Sequence, residues 1–242
     1  MPSIRRTALL ALFALPAVVR ADLNAALDTL YESGENLKTL AADVSLRTVG
    51  DESLGDDKTK VGRFVLQKLP DGDSRVRATF TKRISGNKVF AEKKDYLLAG
   101  TDLTERDYSL KKQTIRQIRQ PGQKLNLFKL GEGPFPLPIG QKREDVLKEF
   151  DVKELKNDDP KVLAVVELTP KKETKLADKF DSITVAIDRE TKLPGLITTV
   201  SPKAVETNEV RLTNVRTNGD VKDDEFKLEP IDEATWKLIS TK

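Results

Sequence analysis

The chain has no cysteine and no histidine. Without cysteine it has no disulfide, no thiol nucleophile and no thiolate metal site. A chain of this size without disulfides is held by its own apolar core. Without histidine the Ser-His-Asp and Cys-His arrangements are excluded, and so are the usual zinc sites. Any catalysis would rest on carboxylates, Lys, Tyr or Ser. An excess of one charge is also lacking. Forty-two basic residues face 39 acidic ones, for a net charge of +3. Arg5, Arg6 and Arg20 carry that whole excess, so the chain from Asp22 onwards is neutral and the pI of about 8.9 belongs to the full sequence. A nucleic-acid partner would call for a clustered basic excess, so none is expected.

What is present begins at the N-terminus. Arg5 and Arg6 precede an apolar stretch from Thr7 to Val19, interrupted by Pro16, and Val19-Arg20-Ala21 places small residues at the exit. Charge, apolar core and small-residue exit in that order make a secretory signal, cleaved after Ala21. The stretch is short of the roughly 17–25 residues of a membrane span. Arg5-Arg6 leaves both the general secretory and the twin-arginine route open. The expected division is a signal over 1–21, one domain over 22–230, and a tail or short helix over 231–242.

Periodicity places the elements. Leu23, Ala26, Leu27, Leu30 and Tyr31 share one face of a helix over Asp22–Glu32, with Asp22 as N-cap and Gly34 as stop. The period then drops to two, with Leu40, Ala42, Val44 and Leu46 alternating with polar neighbours. Further strands are predicted over Val61–Lys68, Arg75–Ile84, Asp95–Ala99, Leu103–Tyr108 and Lys112–Arg119, separated by turn residues. Gly131 to Gly140 contains Pro134, Pro136 and Pro138, which each remove a backbone donor, yet the segment is apolar. A helix over Gln141–Phe150 follows, then strands from Asp151, Val162, Phe180, Leu193 and Glu206, with a short end piece over Glu225–Glu229. The fold class is mainly β with α (α+β), with about ten or eleven strands.

This ordered series resembles the outer-membrane lipoprotein carrier proteins, the LolA-like periplasmic group, from about Asp22 to Pro230. Asn36 to Val44 matches that family's helix-to-first-strand passage, and Gly62 to Pro70 its second strand. Gly100-Thr101-Asp102-Leu103 stands at its hairpin, and Pro134-Phe135-Pro136-Leu137 at its apolar segment before a helix. Phe150-Asp151-Val152, Leu168-Thr169-Pro170, Ile183 to Asp188, Leu212 to Val215 and Phe226 to Pro230 follow in order. The resemblance departs at Leu69, where better-known members have an arginine that latches the lid.

The resemblance implies a strongly curved antiparallel sheet, an incomplete barrel, with an N-terminal helix and a central helical lid. It implies acyl chains of a lipoprotein or other lipid as cargo, held in an apolar cavity. The lining residues would be Val44, Leu46, Phe64, Leu66, Val76, Phe80, Ile183, Val185, Val210 and Leu212. The lid residues would be Phe128, Phe135, Leu137, Ile139, Val146 and Leu147. The implied protein is a periplasmic monomer without cofactor, metal or catalytic residue, loaded at the inner membrane and unloaded to an outer-membrane acceptor. With no Cys to lipidate, it stands on the soluble side of that pathway.

Burying an acyl chain gains roughly 0.8 kcal/mol per CH₂, so a sixteen-carbon chain gains on the order of 12 kcal/mol gross. Several fully buried chains would pass the practical affinity limit near 18–21 kcal/mol, so a carrier needs incomplete cover or a competing lid. Two rival readings exist. One is a non-catalytic envelope lipid-binding or sensory module; the stretch after Pro230 leaves no room for the second domain such sensors usually add. The other is a carboxylate hydrolase, drawing on Asp57, Asp102, Glu105, Asp107 or Glu167.

Overall fold

The computed structural model describes residues 23–50, 57–70, 72–120, 139–202 and 206–241. The expected signal segment and the prolines of the central insertion lie outside them. Among the described residues twelve strands form a single sheet, joined by two α-helices and a 3₁₀ turn.

Helix α1 (Leu23–Glu35) buries Ala26, Leu27, Leu30 and Gly34. It runs past the expected stop at Gly34 by one residue. The chain then enters β1 (Thr39–Val49), β2 (Lys58–Lys68), β3 (Ser74–Ser85), β4 (Lys88–Ala99), β5 (Asp102–Asp107) and β6 (Lys112–Gln117). Helix α2 (Arg143–Glu149) leads into β7 (Phe150–Leu155), β8 (Val162–Pro170), β9 (Ser182–Asp188), β10 (Pro194–Val200) and β11 (Thr207–Thr217). The strand order is β12-β6-β5-β4-β3-β2-β1-β11-β10-β9-β8-β7, so among the described residues β12 (Lys237–Thr241) and β7 are unjoined edges. The sheet is a curved, open half-barrel, as the resemblance implied. Two antiparallel meanders meet where β1 pairs β11.

Two expectations change. β4 extends from Lys88, whereas only Asp95–Ala99 was legible as strand. The stretch from Ile231, expected as a tail or short helix, ends in β12, which pairs parallel with β6. Residues so far apart in sequence pair only because the chain first crosses the sheet's outer face.

That crossing follows from side chains. Phe226 packs with Ala41 and Val65 in a small outer cluster, with Leu97 and Val221 against it. The Arg75 guanidinium lies 4.2 Å from the Phe226 ring centroid. Arg77 donates to the carbonyls of Glu225 (3.2 Å) and Lys227 (2.7 Å). Trp236 meets Tyr108 edge to face, with centroids 5.3 Å apart. The end of the chain is thus a strap fastened across β2 to β6.

The inner face carries the main core. A continuous cluster joins Ala26, Leu27 and Leu30 of α1 to the inward residues of the sheet, to Ile139 and to Val146 of α2. Where α1 ends, its backbone touches the segment leading to α2. A Cβ on Gly34 would fall 2.2 Å from the Gly140 nitrogen, and that N–H donates to the Leu30 carbonyl (3.0 Å). Beside it the Lys68 ammonium donates to the Gly34 carbonyl (2.6 Å), a cation on the negative end of the helix dipole. Lys68 adjoins Leu69 in the sequence.

Candidate functional site

The register sets the inward residues in rows across the strands. One row runs Leu40, Leu66, Val76, Leu98 and Leu103. A second runs Leu212, Val44, Gly62, Phe80, Lys94 and Asp107. A third runs Val185, Ile197, Val210, Leu46, Lys60, Arg83 and Phe90. Strands place alternate side chains on one face, so each row is a band of neighbours.

All ten residues expected to line a cavity come together on this inner face. Val44, Phe64, Leu66, Val76, Phe80, Ile183, Val185 and Leu212 are buried members of one cluster, and the half-buried Leu46 and Val210 pack against it. Of the expected lid, Ile139 and Val146 join the same cluster, while Leu147 is exposed on the other side of α2. Phe128, Phe135 and Leu137 lie outside the described residues.

Sequence reasoning missed that the rows change character toward one end. Apolar residues fill the β7–β11 side, whereas Lys60, Arg83, Lys94, Glu92 and Asp107 stand among them on β2 to β5. The Lys94 ammonium pairs with Asp107 (2.9 Å) and Glu92 (3.3 Å), and Arg83 pairs with Glu92 (2.6 Å). Arg83 also lies 4.4 Å from the Phe90 ring centroid. Burial, then the neighbouring Lys94 charge, pull the Lys60 ammonium below the ordinary lysine range. The spacing was a signal: Lys60 stands two residues from Gly62 and four from Phe64, on the same side of β2.

The carboxylates available to a hydrolase are engaged or scattered. Asp57 pairs with Arg47 (2.5 Å), Glu105 with Arg116, and Asp102 accepts from the Thr101 hydroxyl (3.0 Å). Glu167 sits on β8, in the other meander. Burial alone would push the Asp107 carboxyl up. The Ser109 hydroxyl, the Lys94 ammonium and the Leu110 N–H outweigh it and hold it down at about 2. A general acid needs the opposite shift. A folded value below the unfolded 3.8 means stability that is present above that value and lost as pH falls toward about 2. Asp107→Asn is therefore expected to lose less stability than the parent between about pH 4 and pH 2. Urea midpoints across that window check it, and parallel profiles would refute it.

No protein-family model and no curated protein matches the chain. Solved structures do. The crystal structure of MucB superposes with a TM-score of 0.51 at 12% identity, covering 86% of this chain and 63% of MucB. The chain thus spans less than two thirds of the MucB structure it matches. A LolA superfamily protein from Nitrosomonas europaea gives a TM-score of 0.34 at 14% identity, covering 87% and 99% of the two chains. The Mycobacterium tuberculosis lipoprotein LppX gives 0.44 at 11% identity, covering 83% and 97%. At these identities the likeness is one of fold.

Proposed function

We propose that this chain is an exported, non-catalytic carrier. It binds acyl chains of lipoproteins or other lipids against the inner face of the half-barrel and moves them through the periplasm toward the outer membrane. The observation that carries the reading is the gathering of ten apolar residues onto one face of an unclosed sheet, covered, among the described residues, by separate helices. The apolar insertion around Phe135, which lies outside the described residues, is the proposed lid.

The physics suits a carrier. The inner-face residues are already buried against α1, Ile139 and Val146. An acyl chain that enters replaces one apolar contact by another and gains only the difference. Binding then stays well short of the roughly 12 kcal/mol gross value of one chain, and release is possible.

Native mass spectrometry of the protein cut after Ala21, with an added triacylated lipopeptide, tests this reading. A bound complex is expected, and a folded protein that takes up no acylated ligand removes the hypothesis. Phe135→Asp is expected to lower uptake several-fold while the sheet stays folded, because a carboxylate is costly to bury against an acyl chain. Unchanged uptake would mean that the segment is no lid. A protein that binds but never passes its lipid to acceptor vesicles would be a binding or sensory module instead.

A further inference from the structure

The charged end of the inner face has a composition that acyl binding alone does not use. Around Lys60 stand the cations Arg83 and Lys94 and the carboxylates Glu92 and Asp107. Both carboxylates are taken by Lys94 and Arg83. Lys60 is left over: its ammonium makes no hydrogen bond or ion pair with a described residue, although the side chain is partly buried. A partly buried, uncompensated cation is costly unless something neutralises it. Its cross-strand neighbours are Leu46 on one side and Arg83 on the other, and Val210 lies beyond Leu46. The row therefore passes from an apolar surface to an unpaired positive charge within one strand spacing, about 4.8 Å. That is the profile of an amphiphile with an anionic head.

We infer that Lys60, supported by Arg83, receives the carboxylate or phosphate head of a lipid whose chain lies along Leu46, Val210 and Phe80. The inference rests on the acyl-binding reading and adds a charge preference to it. An anionic head gives Lys60 the counter-charge that Glu92 and Asp107, already paired with Lys94 and Arg83, do not complete. A neutral head leaves Lys60 uncompensated. Burial, then the Lys94 charge, lower the proton affinity of Lys60 against the pull of Glu92 and Asp107.

The test compares ligands with one chain and different heads. Binding of oleate, 1-oleoyl lysophosphatidate and monoolein is measured at neutral pH for the parent, Lys60→Met and Lys60→Arg, each checked for folding by circular dichroism. The parent is expected to prefer the two anions over monoolein by about tenfold, the scale of one charge-assisted contact. Lys60→Met should abolish that preference; Lys60→Arg should keep it. Preference for one anion alone would identify the head as carboxylate or phosphate. Equal affinity for all three lipids in the parent, or a preference that survives Lys60→Met, overturns the inference and leaves acyl binding standing. Binding of no lipid at all overturns both. Should Lys60→Met not fold, Lys60→Gln serves the same comparison.

Discussion

Gly62→Ala is expected to destabilise the protein by more than about 3 kcal/mol, or to prevent folding. A Cβ at this position would lie 1.8 Å from the Thr79 carbonyl oxygen and 2.7 Å from both the Thr79 carbonyl carbon and the Phe80 Cα. These are backbone atoms of the paired strand and have no rotamer through which to yield. Ordinary overpacking costs roughly 1–3 kcal/mol, and here the register itself must move. The contact sits where pairing between β2 and β3 shifts by one residue, at Val61/Gly62. Bulges of this kind bend a sheet and increase its twist, so Gly62 stands at a point that curls the inner face round α1. A chain of this size loses roughly 2–4 °C of Tm per kcal/mol, so a fall of about 6–12 °C or more is expected. Gly50→Ala, with nothing within 4 Å of the added Cβ, is the control and should be near neutral. Equal melting of the two variants would refute the tight crossing.

The second large effect is expected on the outer face, at Asp95. Its side chain is fully buried. One oxygen accepts from the Arg77 Nε (3.0 Å) and Nη2 (2.9 Å) and from the Thr79 hydroxyl; the other accepts from the Tyr108 hydroxyl (2.9 Å). Burial, then the hydrogen bond to Asp95, raise the Tyr108 phenol above its ordinary range. Removing one partner of such a pair leaves the other charge buried and unmatched, at a cost of about 3–5 kcal/mol. Asp95→Ala should therefore unfold at markedly lower urea than the parent. Because Arg77 also holds the carbonyls of Glu225 and Lys227, the strap should loosen with it. Limited proteolysis is expected to cut the variant after Val221 while the parent resists. A variant that keeps the parent's urea midpoint would show that the network contributes little. One that loses stability while the strap stays protected would separate the ion pair from the strap.

Much of the fold was legible because burial on one face of a strand leaves a period of two. Ile183, Val185 and Ile187 alternate in sequence, and all three are buried in the structure. The inner-face set was legible for the same reason. The first part of β4 was not. From Lys88 to Lys94 the strand carries charge on both faces, and Val89 is largely exposed, so no apolar alternation marks it. Lys60, Arg83, Glu92 and Lys94 looked like solvated surface because charge in a strand ordinarily is.

The sequence by itself determined which residues lie on the inner face, where the strands turn, and the absence of thiol and imidazole chemistry. These are local properties, written in spacing and residue type. Only the tertiary structure decided that Lys60 is left over while Lys94 and Arg83 are paired, that the end of the chain straps the outer face and adds a parallel edge strand, and that Gly62 faces a backbone rather than space. Each depends on register between strands remote in sequence, and a one-residue shift in any pairing would exchange the partners. The alternation of Phe64 and Leu66 could place β2 against the core. Whether Lys60, on the same side beyond Gly62, met a carboxylate or an apolar neighbour was settled by which strands came to lie on either side.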